Sequence, residues 1–127
     1  KLQAIFVHVT YGNKTLREDK AVWKSRARKP RVRVFEGSVA GKVVRGEDLQ
    51  SAAAREIGEE LQLKVDPSRI VFNRQSLRTT NSYSFPGLVA VFDEAFLSLE
   101  LRADEYKENG YVEETDDKIT YFVWVST

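Results

Sequence analysis

The alternation and clustering of apolar residues along the chain predict several strands around one dominant helix. Residues 4–11, Ala-Ile-Phe-Val-His-Val-Thr-Tyr, are β-branched and aromatic, and Gly12-Asn13 follows as a turn signal, so a strand is predicted there. His8 stands in its middle and reads as a core or edge histidine rather than a catalytic one. Ala21 to Arg28 alternates, with Lys24, Arg26 and Arg28 on one face against Ser25 and Ala27, until Pro30 ends the run. Val32 and Val34 share one face of the next extended piece, Arg31, Arg33 and Phe35 the other. After Pro67 the pattern returns to strand at 70–77, 87–92 and 95–101, with Pro86-Gly87 and Asp93-Glu94 as breaks. Residues 103–109 suit a short helix or a loop, and Ile119 to Val125 closes with a strong β signal. Strands flanking one helix make the predicted class α/β (α+β).

That helix is predicted from Asp48, a suitable N-cap, to about Leu61, with Leu49, Ala53, Ile57 and Leu61 as its apolar stripe. Glu56, Glu59 and Glu60 stand at i, i+3 and i+4, so they fall within roughly a third of the helix circumference, beside the apolar stripe rather than opposite it. Three carboxylates at the edge of a core repel one another, and a divalent cation would compensate them. Arg55 and Glu59 form an i, i+4 pair.

Composition narrows the chemistry. With 127 residues, 42% of them hydrophobic, the chain reads as a single domain, 1–127, able to bury a core. It has no cysteine, which removes disulfides, thiolate nucleophiles and zinc–thiolate sites and leaves a metal to oxygen ligands, favouring Mg²⁺ or Mn²⁺. No apolar run approaches the roughly 18 residues of a membrane span, so the expectation is a soluble domain, cytoplasmic by default, although a chain that begins at Lys1 is compatible with a removed leader. The oligomeric state is left open.

The net charge of +1 conceals a polarity. Residues 1–46 carry twelve Lys/Arg against three Asp/Glu, and residues 47–127 carry eight against sixteen. The basic excess concentrates in Lys20, Lys24, Arg26, Arg28, Lys29, Arg31 and Arg33, the acidic excess in the helix and in Glu113 to Asp117. The two halves either pair with each other or meet across an anionic ligand.

The spacing Gly41, five residues, Glu47, seven residues, Arg55-Glu56-Ile57, one residue, Glu59-Glu60, one residue, position 62, Leu63 resembles the signature of the Nudix hydrolase superfamily. The departure is Gln62, where the family pattern has glycine, which puts the helix exit in question and not the acids. The resemblance implies a mixed-sheet sandwich carrying the catalytic helix at about 48–61. The family usually adds a closing helix after the strand matching 119–125, and residues 1–127 are expected to lack it. It also implies Mg²⁺-dependent hydrolysis of a diphosphate bond in a nucleotide-type substrate. Carried over by position, Glu56, Glu59 and Glu60 become metal ligands, the Ala40 carbonyl adds another, and Arg55 and Glu47 orient them. Glu113 or Glu114 could supply an extra acid. Lys24, Arg26, Arg28, Arg31 and Arg33 lead into the catalytic loop and would suit a substrate with extra phosphates, such as the 5′ end of a capped RNA or an inositol pyrophosphate. ADP-ribose or an ADP-sugar is the alternative substrate, and a Nudix-fold binding module without catalysis the alternative function. Trp23, Phe35, Tyr83 and Phe85 are candidate base-stacking surfaces, each more readily explained as core or scattered surface.

Overall fold

The computed structural model describes residues 2–24, 38–81 and 89–126. Strand β1 (Leu2–Tyr11) turns at Gly12, whose φ of 59° is open to glycine, into β2 (Lys14–Trp23). There follow β3 (Val39–Lys42), helix α1 (Leu49–Leu61), a 3₁₀ turn (Pro67–Arg69), β4 (Val71–Asn81), β5 (Val89–Glu100), β6 (Tyr111–Glu114) and β7 (Lys118–Ser126). Among these residues α1 is the single α-helix, and no helix is long and apolar enough to cross a membrane.

The strands order as β4-β5-β1-β2-β7-β6, with β3 also against β1. β1 runs parallel to β5 along almost its whole length, while its other edge is divided, Ala4 to Val7 pairing with β3 and only Thr10 and Tyr11 pairing with β2. The sheet therefore parts after the first hairpin into a mixed blade (β4, β5, β1, β3) and an antiparallel blade (β2, β7, β6). Helix α1 packs against β1, β3 and β5 of the mixed blade and against β6 of the antiparallel one. The mixed sandwich implied by the family resemblance is the fold the chain adopts.

Alternation decides what enters the core. Ile5, Val7 and Val9 of β1 and Ala95, Leu97 and Leu99 of β5 point at α1 and meet Ala53, Ile57 and Leu61. At the point where the blades separate, the buried Ser38 hydroxyl accepts from the Val9 N–H at 2.9 Å and donates to the Leu16 carbonyl at 2.5 Å, which pins the entry of β3. This fixes the strand on which the loop before α1 is hung.

Several expected boundaries move. The second strand begins at Lys14, ahead of the predicted Ala21, and its predicted continuation from Ser25 to Arg28 lies outside the described residues, as does the piece at 31–35. Strand β4 runs on to Asn81. Asp93-Glu94 is not a break, because β5 passes straight through it. Asp93 accepts from Gln75 Nε2 at 2.6 Å and Glu94 pairs with Arg78 Nε at 2.9 Å, so partners on β4 satisfy both carboxylates. Residues 103–109 form turns rather than a helix, and the acidic stretch from Glu113 begins inside a strand, β6.

Candidate active site

Asp48 caps α1 by accepting from the Ser51 N–H at 2.7 Å, and the helix presents Glu56, Glu59 and Glu60 at the spacing read from the sequence. Their environments differ. Glu56 is buried at the core edge and lies over Gly41 of β3 so closely that a Cβ at position 41 would overlap its carboxyl group. Glu59 has a side chain 57% exposed. Glu60 is half-buried, with its Oε2 sheltered from solvent.

Arg55 is the hub of the arrangement. Its Nε and Nη2 donate to the two oxygens of Glu47 at 3.0 and 3.1 Å, and Nη2 also donates to the Lys42 carbonyl at 2.8 Å. Its Nη1 donates to Glu56 Oε1 at 2.8 Å and lies 3.5 Å from Glu59 Oε1. Glu47 in turn accepts from the Val44 N–H at 3.1 Å. One guanidinium thus fastens the end of β3, the loop before α1 and the carboxylate of Glu56 to one another. The hydrogen bonds to Glu47 hold the guanidinium proton more tightly than usual, and those from Arg55 hold the Glu47 carboxyl below the usual carboxylate range. The Glu56 carboxyl is pushed up, chiefly by burial; Arg55 opposes this, and the charges of Glu59 and Glu113 add to it.

Glu113 and Glu114, alternatives in the sequence, separate in the structure. On β6 the buried Tyr111 and half-buried Glu113 share one face, and the exposed Val112 and Glu114 the other. Glu113 therefore bears on Glu56, whereas Glu114 accepts an ion pair from Lys24 at 3.1 Å. Ala40 sits in β3 opposite Phe6, one residue before Gly41. His8 is exposed. Trp23 lies beneath the Lys118 ammonium, 5.2 Å from its ring centre. Arg26, Arg28, Arg31, Arg33, Phe35, Tyr83 and Phe85 lie outside the described residues.

These carboxylates are hard oxygen donors, and the compensation that Glu56, Glu59 and Glu113 need is the kind a divalent cation supplies. Among the described residues no three acidic or histidine side chains already converge as a metal cage. Glu56 and Glu59 are turned toward Arg55, so the donor set is suitable in kind and spacing, with its exposed member free to swing.

Sequence reasoning passed over Lys42, whose carbonyl anchors Arg55. Gly41 was legible only as a motif position, and the reason for it is the carboxylate lying where a side chain would be.

The model of the NUDIX domain matches residues 7–126. The chain belongs to the Nudix family. It is a pyrophosphohydrolase of that family. Solved Nudix-type structures of similar fold include the Escherichia coli dihydroneopterin triphosphate pyrophosphohydrolase, at 21% identity and a TM-score of 0.56 over 98% of this chain and 78% of that one. Another is the MutT protein of Bacillus halodurans, at 12% identity and a TM-score of 0.57 over 95% of this chain and 67% of that one. No curated protein matches the chain by sequence. The Nudix glycine replaced by Gln62 leaves its mark on the backbone. Gln62 has φ 58° and ψ 34° and donates its N–H to the Gly58 carbonyl at 3.1 Å, so the helix ends in the left-handed conformation without the glycine that suits it.

Proposed function

We propose that the chain hydrolyses its substrate with Mg²⁺ or Mn²⁺ held by Glu56, Glu59 and Glu60, assisted by the Ala40 carbonyl, with Glu113 as the additional acid. The observation that carries this reading is the Arg55 hub. It spends one guanidinium on fixing Glu47, Glu56 and the Lys42 carbonyl and leaves a line of carboxylates on one side of the helix. The cation, when bound, neutralises charge on the diphosphate and acidifies water. The protein's own part is to orient. Arg55 and Glu47 set the Glu56 carboxylate, Gly41 leaves room for it, and a carboxylate of this group takes the proton of the attacking water as the phosphorus–oxygen bond to the leaving phosphate breaks. Glu113 is preferred over Glu114 because it faces α1, whereas Glu114 is bonded to Lys24.

For the substrate we favour a diphosphate that carries extra phosphates, such as the 5′ end of a capped RNA or an inositol pyrophosphate, because the basic run starting at Lys20 precedes the strand that carries Gly41. Product mapping with Mg²⁺ and with EDTA, on a panel of these compounds plus ADP-ribose and ADP-glucose, tests the reading. In the same assay Glu60→Gln leaves folding intact and lowers turnover at least about a hundredfold; full turnover in that variant would refute the ligand assignment.

A further inference from the structure

Glu113 faces the helix only while β6 keeps its register. Among the described residues β6 is a four-residue edge strand, paired with β7 alone, with Tyr111 opposite Phe122 and Glu113 opposite Thr120. A slip of one residue would turn Glu113 outward and carry its neighbours inward. Something must hold so short a strand in place, and a chain of polar contacts leads to it from the far end of α1.

The chain begins at Arg69, in the 3₁₀ turn that follows α1. Arg69 donates from Nη1 and Nη2 to the two oxygens of Glu105, both at 2.8 Å, and from Nη2 to the Glu100 carbonyl at the end of β5 at 3.1 Å. The Glu105 carboxylate, 7% exposed, also accepts the Arg102 N–H at 2.9 Å. The Glu105 main-chain carbonyl accepts the hydroxyl of Tyr111 at 2.6 Å, and that hydroxyl accepts the Lys107 N–H at 3.3 Å. Between them, Gly110 at φ 86° passes so near the Phe122 carbonyl that a Cβ would strike it. Tyr111 buries its ring in the core like any large apolar residue. Its hydroxyl adds direction, fixing where β6 starts two residues before Glu113 and on the same face.

We propose that Tyr111, with the Arg69–Glu105 pair behind it, is a positioning residue that keeps Glu113 against the carboxylates of α1. The inference rests on the reading of Glu113 as the additional acid. Arg69 follows the helix in sequence and packs near its end, so the contacts refer the strand to the same frame that holds Glu56.

The test is a cycle of Tyr111→Phe, Glu113→Gln and the double variant. It reads kcat and KM on the cleaved diphosphate, Mn²⁺ affinity by the electron paramagnetic resonance of the free ion, amide exchange over 111–114, and thermal midpoint. Tyr111→Phe is expected to lower kcat about tenfold with KM little changed, because a small misplacement of a reacting group is costly. It should also weaken Mn²⁺ binding, speed exchange in β6 and move the midpoint little. In the Glu113→Gln background it should cost nothing more, since a positioning residue has no effect once the group it positions is gone. Equal losses in both backgrounds, or a lowered midpoint with kcat and Mn²⁺ affinity unchanged, would overturn the proposal. If Glu113→Gln keeps full turnover and Mn²⁺ affinity, the reading of Glu113 falls and the positioning role with it. If Glu113→Gln is impaired and Tyr111→Phe is not, the positioning role alone falls. Arg69→Lys, which keeps the charge and loses the two-pronged geometry, gives the same readouts should Tyr111→Phe fold poorly.

Discussion

Gly41 is the residue on which the Glu56 carboxylate rests. A methyl group there would occupy the place of that carboxylate, and because Glu56 is held by Arg55 and buried, it cannot simply swing into solvent. Gly41→Ala is therefore expected to cost about 1–3 kcal/mol of stability, as overpacking does, and to lower turnover by more than its effect on folding explains. Urea unfolding and steady-state kinetics on the same sample separate the two. Gln62 presents the opposite case, a position that asks for glycine and does not have it. Its positive φ costs a side chain about 1 kcal/mol, so Gln62→Gly should raise unfolding stability by up to that amount. An unchanged or lower urea midpoint would mean that the Gln62 side chain makes a contact worth more than the backbone strain.

At the scale of elements, legibility followed agreement among signals. Helix α1 was readable to the residue because its cap at Asp48, its apolar stripe and its motif all point to the same span. β1 was readable for the same reason. The break expected at Asp93-Glu94 was a misreading of two carboxylates whose partners, Gln75 and Arg78, lie on β4 and are invisible to local pattern. β6 escaped because four residues, two of them acidic, are too few for an alternating pattern to show even though Tyr111 and Val112 favour a strand; its pairing with β7 and the fixed loop before it are invisible to local pattern. That loop supplies a prediction of its own. Removing one partner of the Arg69–Glu105 pair leaves a charge poorly compensated, so Glu105→Gln is expected to cost about 3 kcal/mol. Its pH dependence has a definite sign. Arg69 holds the Glu105 carboxyl down to about 2 in the folded protein, so the stability it adds is complete above the ordinary carboxylate range and is lost as pH falls toward that value. Urea titrations in the acid range should show a shallower loss of stability for Glu105→Gln than for the wild type. Parallel curves would mean that the pair contributes packing and no charge.

For the whole molecule the question is what the opposite charges of its two parts are for. The ion pairs of Arg55, Arg69, Arg78 and Arg102 all close within residues 47–127, so these arginines are taken up by neighbours from their own acidic part. Lys24 crosses over, and the residue it meets is Glu114, next to the acid that faces α1. The basic run thus sets out from the rim of the candidate site, with Lys20 over the Tyr121 ring one strand away. In sequence the run precedes the strand that carries Gly41, and such a run suits a ligand that carries more negative charge than a metal alone can balance. Such a ligand displaces counterions when it binds, so kcat/KM for capped RNA or inositol pyrophosphate should fall severalfold as salt rises from about 50 to 200 mM. The change should reside in KM, since counterion release acts on binding and not on the bond-breaking step. ADP-ribose, with fewer phosphates to engage that run, should respond much less under the same conditions. A flat salt response for every polyphosphorylated compound, alongside efficient cleavage of ADP-ribose, would reassign the basic run to the protein surface and the substrate to the ADP-linked class.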